Sequence, residues 1–154
     1  NRIEYLASGL ECRVIFLDHL SILLSGLDGD ERRMIDSTMT RLRSLVERTG
    51  ITLYLVSHLR RSNSDSNSHE EGGRVSLGQL RGSHSISQIS DTVIALERDQ
   101  QSEDANNITT VRVLKNRYSG EVGVATRLTY DLSTCNFYET TKDEQPEFDP
   151  TVDF

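Results

Sequence analysis

Lysine is almost missing from this chain: Lys115 and Lys142 are the only two, against fifteen arginines. Neither can serve a phosphate-binding loop of the pattern G-x-x-x-x-G-K-[ST], because Asn116 and Asp143 follow them. A P-loop enzyme complete within these residues is thereby excluded. Cys12 and Cys135 stand far apart with no C-x-x-C spacing, which speaks against zinc ligation and a disulfide framework. Two reduced core thiols are expected instead. No apolar run approaches the roughly 18–20 residues of a membrane span. The start, Asn1-Arg2-Ile3-Glu4, lacks the charged, apolar, small-residue pattern of a signal peptide. The expectation is a soluble, cytoplasmic chain with no membrane partner.

What is present is a charge imbalance with a clear location. From Glu139 to Phe154 six carboxylates face one lysine, so the tail accounts for −5 of the net −7 and the remainder is nearly neutral. The basic set is arginine, whose planar fork suits bidentate contact with phosphate or carboxylate. Residues 1–138 are expected to form one globular unit, and 139–154 an acidic, disordered tail carrying both prolines.

Hydrophobic patterning gives the order of elements. Ile3, Leu6, Ala7 and Leu10 predict a short leading helix, and Arg13–Asp18 a buried strand. Asp30 can cap a helix that carries Met34, Ile35, Met39, Leu42, Leu45 and Val46 on one stripe and stops at Gly50. Ile51–Ser57 is a second apolar strand, and this β-α-β order predicts parallel pairing with a right-handed crossover. Residues 62–73 contain no apolar side chain and are expected to form a mobile loop. A short helix through Ile89, a strand Thr92–Leu96, and a hairpin of Ile108–Lys115 with Val122–Tyr130 follow, with Asn136–Tyr138 as an added edge. The fold class is α/β, with the parallel and antiparallel strands expected in one mixed sheet.

Several residues could carry chemistry. Asp18 ends a buried strand, where ligands of α/β sheets gather; it could hold Mg²⁺ through a water, or be a solvated strand end. His58 ends the second strand at the same edge and could donate to a γ-phosphate, or be structural. His19 should face away from Asp18 by strand alternation, which opposes a shared metal. Arg60, Arg61, Arg74 and Arg81 bracket the polar loop; they could grip a DNA backbone or be ordinary surface arginines. Lys115 and Arg117 should share a face and could complete a neighbouring subunit's phosphate site, although K-x-R is a common pattern.

In order, V-I-F-L-D-H, V-S-H-L, H-E-E-G, L-R-G-S followed by Q-I-S-D-T-V-I-A-L-E-R, and L-K-N-R-Y-S-G-E-V-G make a specific set. The chain resembles the C-terminal half of the RecA-like motor of DnaB-class ring helicases, closest to the primase-helicases of short-tailed bacteriophages. The resemblance implies a partial RecA-like P-loop NTPase core with parallel strands, a crossover helix and a C-terminal antiparallel hairpin. It also implies a hexameric helicase that translocates on single-stranded DNA in the host cytoplasm, using Mg²⁺ with ATP or dTTP. By the same resemblance Asp18 is the Walker B aspartate, His58 the γ-phosphate sensor, and Gln88 the residue linking nucleotide state to the DNA-contacting element. Arg117 is the finger reaching the adjacent subunit, with Lys115 as its companion, and Arg98 and Tyr130 flank the nucleotide base. Arg60, Arg61 and Arg81 contact DNA, and the tail ending Asp153-Phe154 docks the phage DNA polymerase. Two features depart from the pattern: the loop interior Ser62–Ser68 lacks lysines, and the phosphate loop, catalytic glutamate and primase module are not in this sequence. The chain alone is therefore expected not to hydrolyse NTP. A rival expectation is a non-catalytic assembly module that complements a separate chain bearing the P-loop. A further rival is a metallo-phosphohydrolase built on Asp18, His19, His58 and His69.

Overall fold

A computed structural model describes residues 2–24, 29–60, 68–80 and 84–140. Arg61, Arg81, Asp153, Phe154 and the interior of the polar loop lie outside the described residues. The chain divides into two compact units, Asn1–Arg60 with Leu77–Ser90 and Arg61–Ser76 with Asp91–Phe154.

The first unit opens with a helical turn α1 (Arg2–Glu4) that continues as a π-helical turn, Tyr5–Gly9. Then come β1 (Val14–Leu17), α2 (Leu20–Leu24), α3 (Glu31–Thr49) and β2 (Thr52–Leu55), with α4 (His84–Ile89) later in the chain. The caps of α3 are those its sequence dictates. Asp30 Oδ1 accepts the Arg32 N–H at 2.9 Å, and Gly50, at φ +67°, donates its N–H to the Val46 carbonyl at 2.8 Å. The buried stripe Ile35, Met39, Leu42 and Leu45 turns inward. The crossover makes β1 and β2 parallel, in register from Val14↔Thr52 to Leu17↔Leu55. Ile15, Leu45 and Ile51 form the core, with Leu6, Val46 and Leu53 packed around them.

The other face of this two-stranded sheet is bare. Phe16 is 73% exposed and stacks on Tyr54 with ring centroids 4.7 Å apart, while Val14 beside it is also exposed. Parallel sheets ordinarily bury both faces, so this apolar surface is the outlier of the fold. Helix α2 is absent from the patterning, because L-S-I-L-L is too short to show a helical period. It is fixed by burial of Leu20 and Leu24 and by the Leu20 N–H donating to the Val56 carbonyl at 3.0 Å.

The second unit holds an antiparallel sheet in the order β3 (Thr92–Glu97), β4 (Ile108–Asn116), β5 (Gly123–Asp131), β6 (Asn136–Glu139). The expected single mixed sheet does not form among the described residues: the parallel pair and the antiparallel strands are separate sheets. The reason is local pairing, since short connections give β4, β5 and β6 a sequence neighbour each, and β3 is occupied by β4 from Thr92↔Asn116 to Glu97↔Thr110. Glu139, the expected start of the tail, closes β6, and buried Thr140 donates its N–H to the Arg127 carbonyl at 2.8 Å. Cys12 packs against the first unit's core, but Cys135 is exposed at φ +55°, in a turn and not in a core.

Candidate functional site

Asp18 and His58 both lie just past the carboxyl ends of paired parallel strands, since Leu17 is opposite Leu55. Both residues are exposed there, and Asp18 pairs with no cation among the described residues. Strand β1 ends at Leu17, so strand alternation no longer governs Asp18 and His19. The Leu20–Val56 hydrogen bond draws this turn against the end of β2, and the His19 ring packs on the His58 ring at 4.1 Å between centroids. His19 Nδ1 is buried there without a hydrogen-bond partner. No group of three or more metal-ligating side chains occurs among the described residues, so His19 and His58 do not gather with Asp18 into a closed metal site. A lone exposed carboxylate does fit Mg²⁺, which keeps most of its waters and takes one or two carboxylates plus substrate phosphates.

On the same unit, Arg60 extends past β2 with its N–H donating to the Gln79 carbonyl at 2.8 Å, next to a Leu59–Leu80 bridge. Gln88 is exposed on α4, which packs on α3 and buries Ile86.

In the second unit the candidates separate to opposite ends of one sheet. Arg98 follows the last residue of β3, and Tyr130 lies near the end of β5, where Ile108↔Thr129 begins the β4 pairing. Tyr130 packs on Phe137 at 4.9 Å and lines an open concavity of about 510 Å³ together with Asn106, Asn107 and Asp131. Asp131 is held below the usual carboxylate range chiefly by the Ser133 hydroxyl and N–H, and then by Thr134. Lys115 and Arg117 lie at the far end of β4. The nine residues of β4 span roughly 27 Å at about 3.3 Å per residue.

Arg117 is anchored by a residue the sequence did not single out. Its N–H donates to the Asp91 carbonyl at 2.9 Å, and its guanidinium meets Asp91 Oδ1 at 2.9 Å. Asn116 shapes the turn beside it, its Oδ1 accepting the N–H groups of Tyr118 at 3.0 Å and Ser119 at 3.3 Å. Lys115 is held below the ordinary lysine value by desolvation first and by the Arg117 cation second, with Asp91 opposing. Asp91 and Arg117 are 26 positions apart, a separation that no short motif reveals.

A profile of the DnaB-like helicase C terminal domain matches residues 2–139. The DNA helicase/primase of Enterobacteria phage T3 is 44% identical over 134 residues, covering 86% of this chain and 23% of the relative. This chain thus spans about a quarter of that relative's length. Among solved structures, a helicase-sized neighbour described as an ATPase domain superposes with a TM-score of 0.67 at 22% identity, covering 90% of this chain and 51% of that one. The fold is accordingly RecA-like α/β, with its parallel pair, crossover helix and antiparallel hairpin sheet. Matched along nearly its whole length, the chain belongs to the DnaB-like helicase C terminal domain family.

Proposed function

We propose that this chain is the C-terminal part of the motor of a hexameric, NTP-driven replicative DNA helicase that moves on single-stranded DNA. The observation that carries the reading is the shared edge of β1 and β2, which delivers Asp18 and His58 together. Asp18 holds Mg²⁺ through a water, and that ion neutralises charge on ATP or dTTP phosphates. His58, its ring backed by His19, donates to the γ-phosphate and feels its loss. Arg98 and Tyr130 flank the base, and Gln88 relays nucleotide state toward the DNA-contacting residues Arg60, Arg61 and Arg81.

The roughly 27 Å between the Arg98/Tyr130 end and the Lys115/Arg117 end of the sheet favours two nucleotide sites per subunit sheet. One site takes the base contacts, and the neighbour's site takes the Arg117 finger, the arrangement of a ring. Residues 1–138 form the C-terminal half of the motor domain, and the acidic tail ending at Asp153 and Phe154 docks a phage DNA polymerase. Alone, without a G-K-[ST] loop, the chain does not hydrolyse NTP.

The bare face of Phe16 and Tyr54 favours a second reading, a non-catalytic module that completes a separate P-loop-bearing chain. The test is NTP hydrolysis and strand separation by the intact protein carrying this sequence. Asp18→Asn should lower hydrolysis by about 100-fold, the range for groups that act on a metal through its outer sphere. Hydrolysis unaffected by Asp18→Asn contradicts the motor reading.

A further inference from the structure

We infer that Glu97, held by Arg112, is a positioning residue that fixes segment 68–76 to the end of β3 and so couples DNA contact to the nucleotide's base end; this rests on the helicase reading above. The geometry is specific. The Glu97 carboxylate, whose side chain is 5% exposed, accepts Arg112 Nε–H at 2.9 and 3.0 Å through its two oxygens. Its Oε1 also accepts the Val75 N–H at 2.8 Å. Arg112 lies opposite Ala95 in the register and reaches diagonally to Glu97, and the irregularity between Val111 and Arg112 re-aims that stretch of β4.

The same segment is tied twice more to the chain just beyond β3. Gln100 N–H donates to the Glu70 carbonyl at 2.9 Å, and Glu71 bridges to Asp99. Gly72, at φ +76°, passes so near that a Cβ there would stand 3.0 Å from Asp99 Cβ. Segment 68–76 is the H-E-E-G limb that leads back from the arginine-flanked loop. Glu97 faces inward, and the next residue, exposed Arg98, is the proposed base contact. A shift of the β3 end with nucleotide therefore moves the limb as well.

A buried ion pair is weak evidence for stability, since its desolvation offsets its attraction. Here the pair shares its carboxylate with a backbone N–H of a different segment, which is what positioning requires.

The test is NTP hydrolysis by the intact protein with and without oligo-dT, together with oligo-dT affinity, for Glu97→Gln and Gly72→Ala. Glu97→Gln keeps a carbonyl for Val75 but removes the charge that holds Arg112. Gly72→Ala pushes the limb away from Asp99 at an exposed position. Both should cut the stimulation by DNA about tenfold, within the usual range of coupling between sites, while the DNA-free rate changes by less than about twofold. If both rates fall together, or neither changes, Glu97 is an ordinary structural residue and the inference is overturned. If Glu97→Gln fails to fold, Gly72→Ala decides alone. A wild-type protein that DNA does not stimulate would instead overturn the helicase reading.

Discussion

At the end of β4, three charged side chains set one another's behaviour. Burial disfavours the charged form of Lys115, Arg117 repels it, and Asp91 partly restores it. A cation whose folded pKa lies below its unfolded value weakens the fold while it is charged. That penalty is relieved as pH rises through the folded value toward the unfolded one, so any gain in stability appears on the alkaline side. With Lys142→Arg leaving a single lysine, the ¹³C-dimethyl signal of Lys115 should titrate below that of a free lysine side chain. Arg117→Ala should move the midpoint up, and Asp91→Ala should move it further down. A midpoint indifferent to both would mean that the three groups do not interact. The Asp91 contact also explains how an exposed arginine at a turn can be held ready for a phosphate: its backbone and guanidinium are fixed by the same residue.

Among the elements, the β1–β2 pair explains most and lacks most. Its inner face meets α3, while its outer face leaves Phe16 and Tyr54 exposed. The chain covers 51% of the solved ATPase domain it superposes on, so in the intact protein this account places further elements of the domain over that face. In the isolated chain Phe16→Ala should cost only about 1 kcal/mol, the worth of an exposed aromatic pair. In the intact protein it should cost about 3–5 kcal/mol, as for a buried phenylalanine. Urea denaturation of both proteins would show the difference, and equal losses would mean that the face is never covered. The parallel pair, α3 and the hairpin were legible in the sequence because caps, a helical apolar stripe and strand alternation are local signals. The separation into two sheets was not legible, because hydrogen-bond partners between strands leave no trace in the period of either. Asp18 and His58 were legible as strand ends. The His19–His58 stack was not, since it depends on where β1 stops and on α2, a helix too short to announce itself.

For the whole molecule, the central claim is that nucleotide sites form between subunits of a ring, with Asp18 from one and Arg117 from the next. Opposite ends of the β3–β6 sheet carry the base contacts and the finger, a separation that one bound nucleotide cannot bridge from a single subunit. The claim also accounts for the family match along residues 2–139 and for the absence of a phosphate-loop lysine here. The most direct measurement mixes two inactive variants of the intact protein, Asp18→Asn and Arg117→Ala. Each alone should be nearly inactive, the loss of a finger being worth about 10³–10⁵ in rate. Mixed rings contain interfaces with a wild-type Asp18 on one side and a wild-type Arg117 on the other, so DNA-stimulated hydrolysis should recover to a substantial fraction of wild type. If mixing restores nothing while both variants still assemble into rings, the two residues serve the same subunit's site, and the account is contradicted.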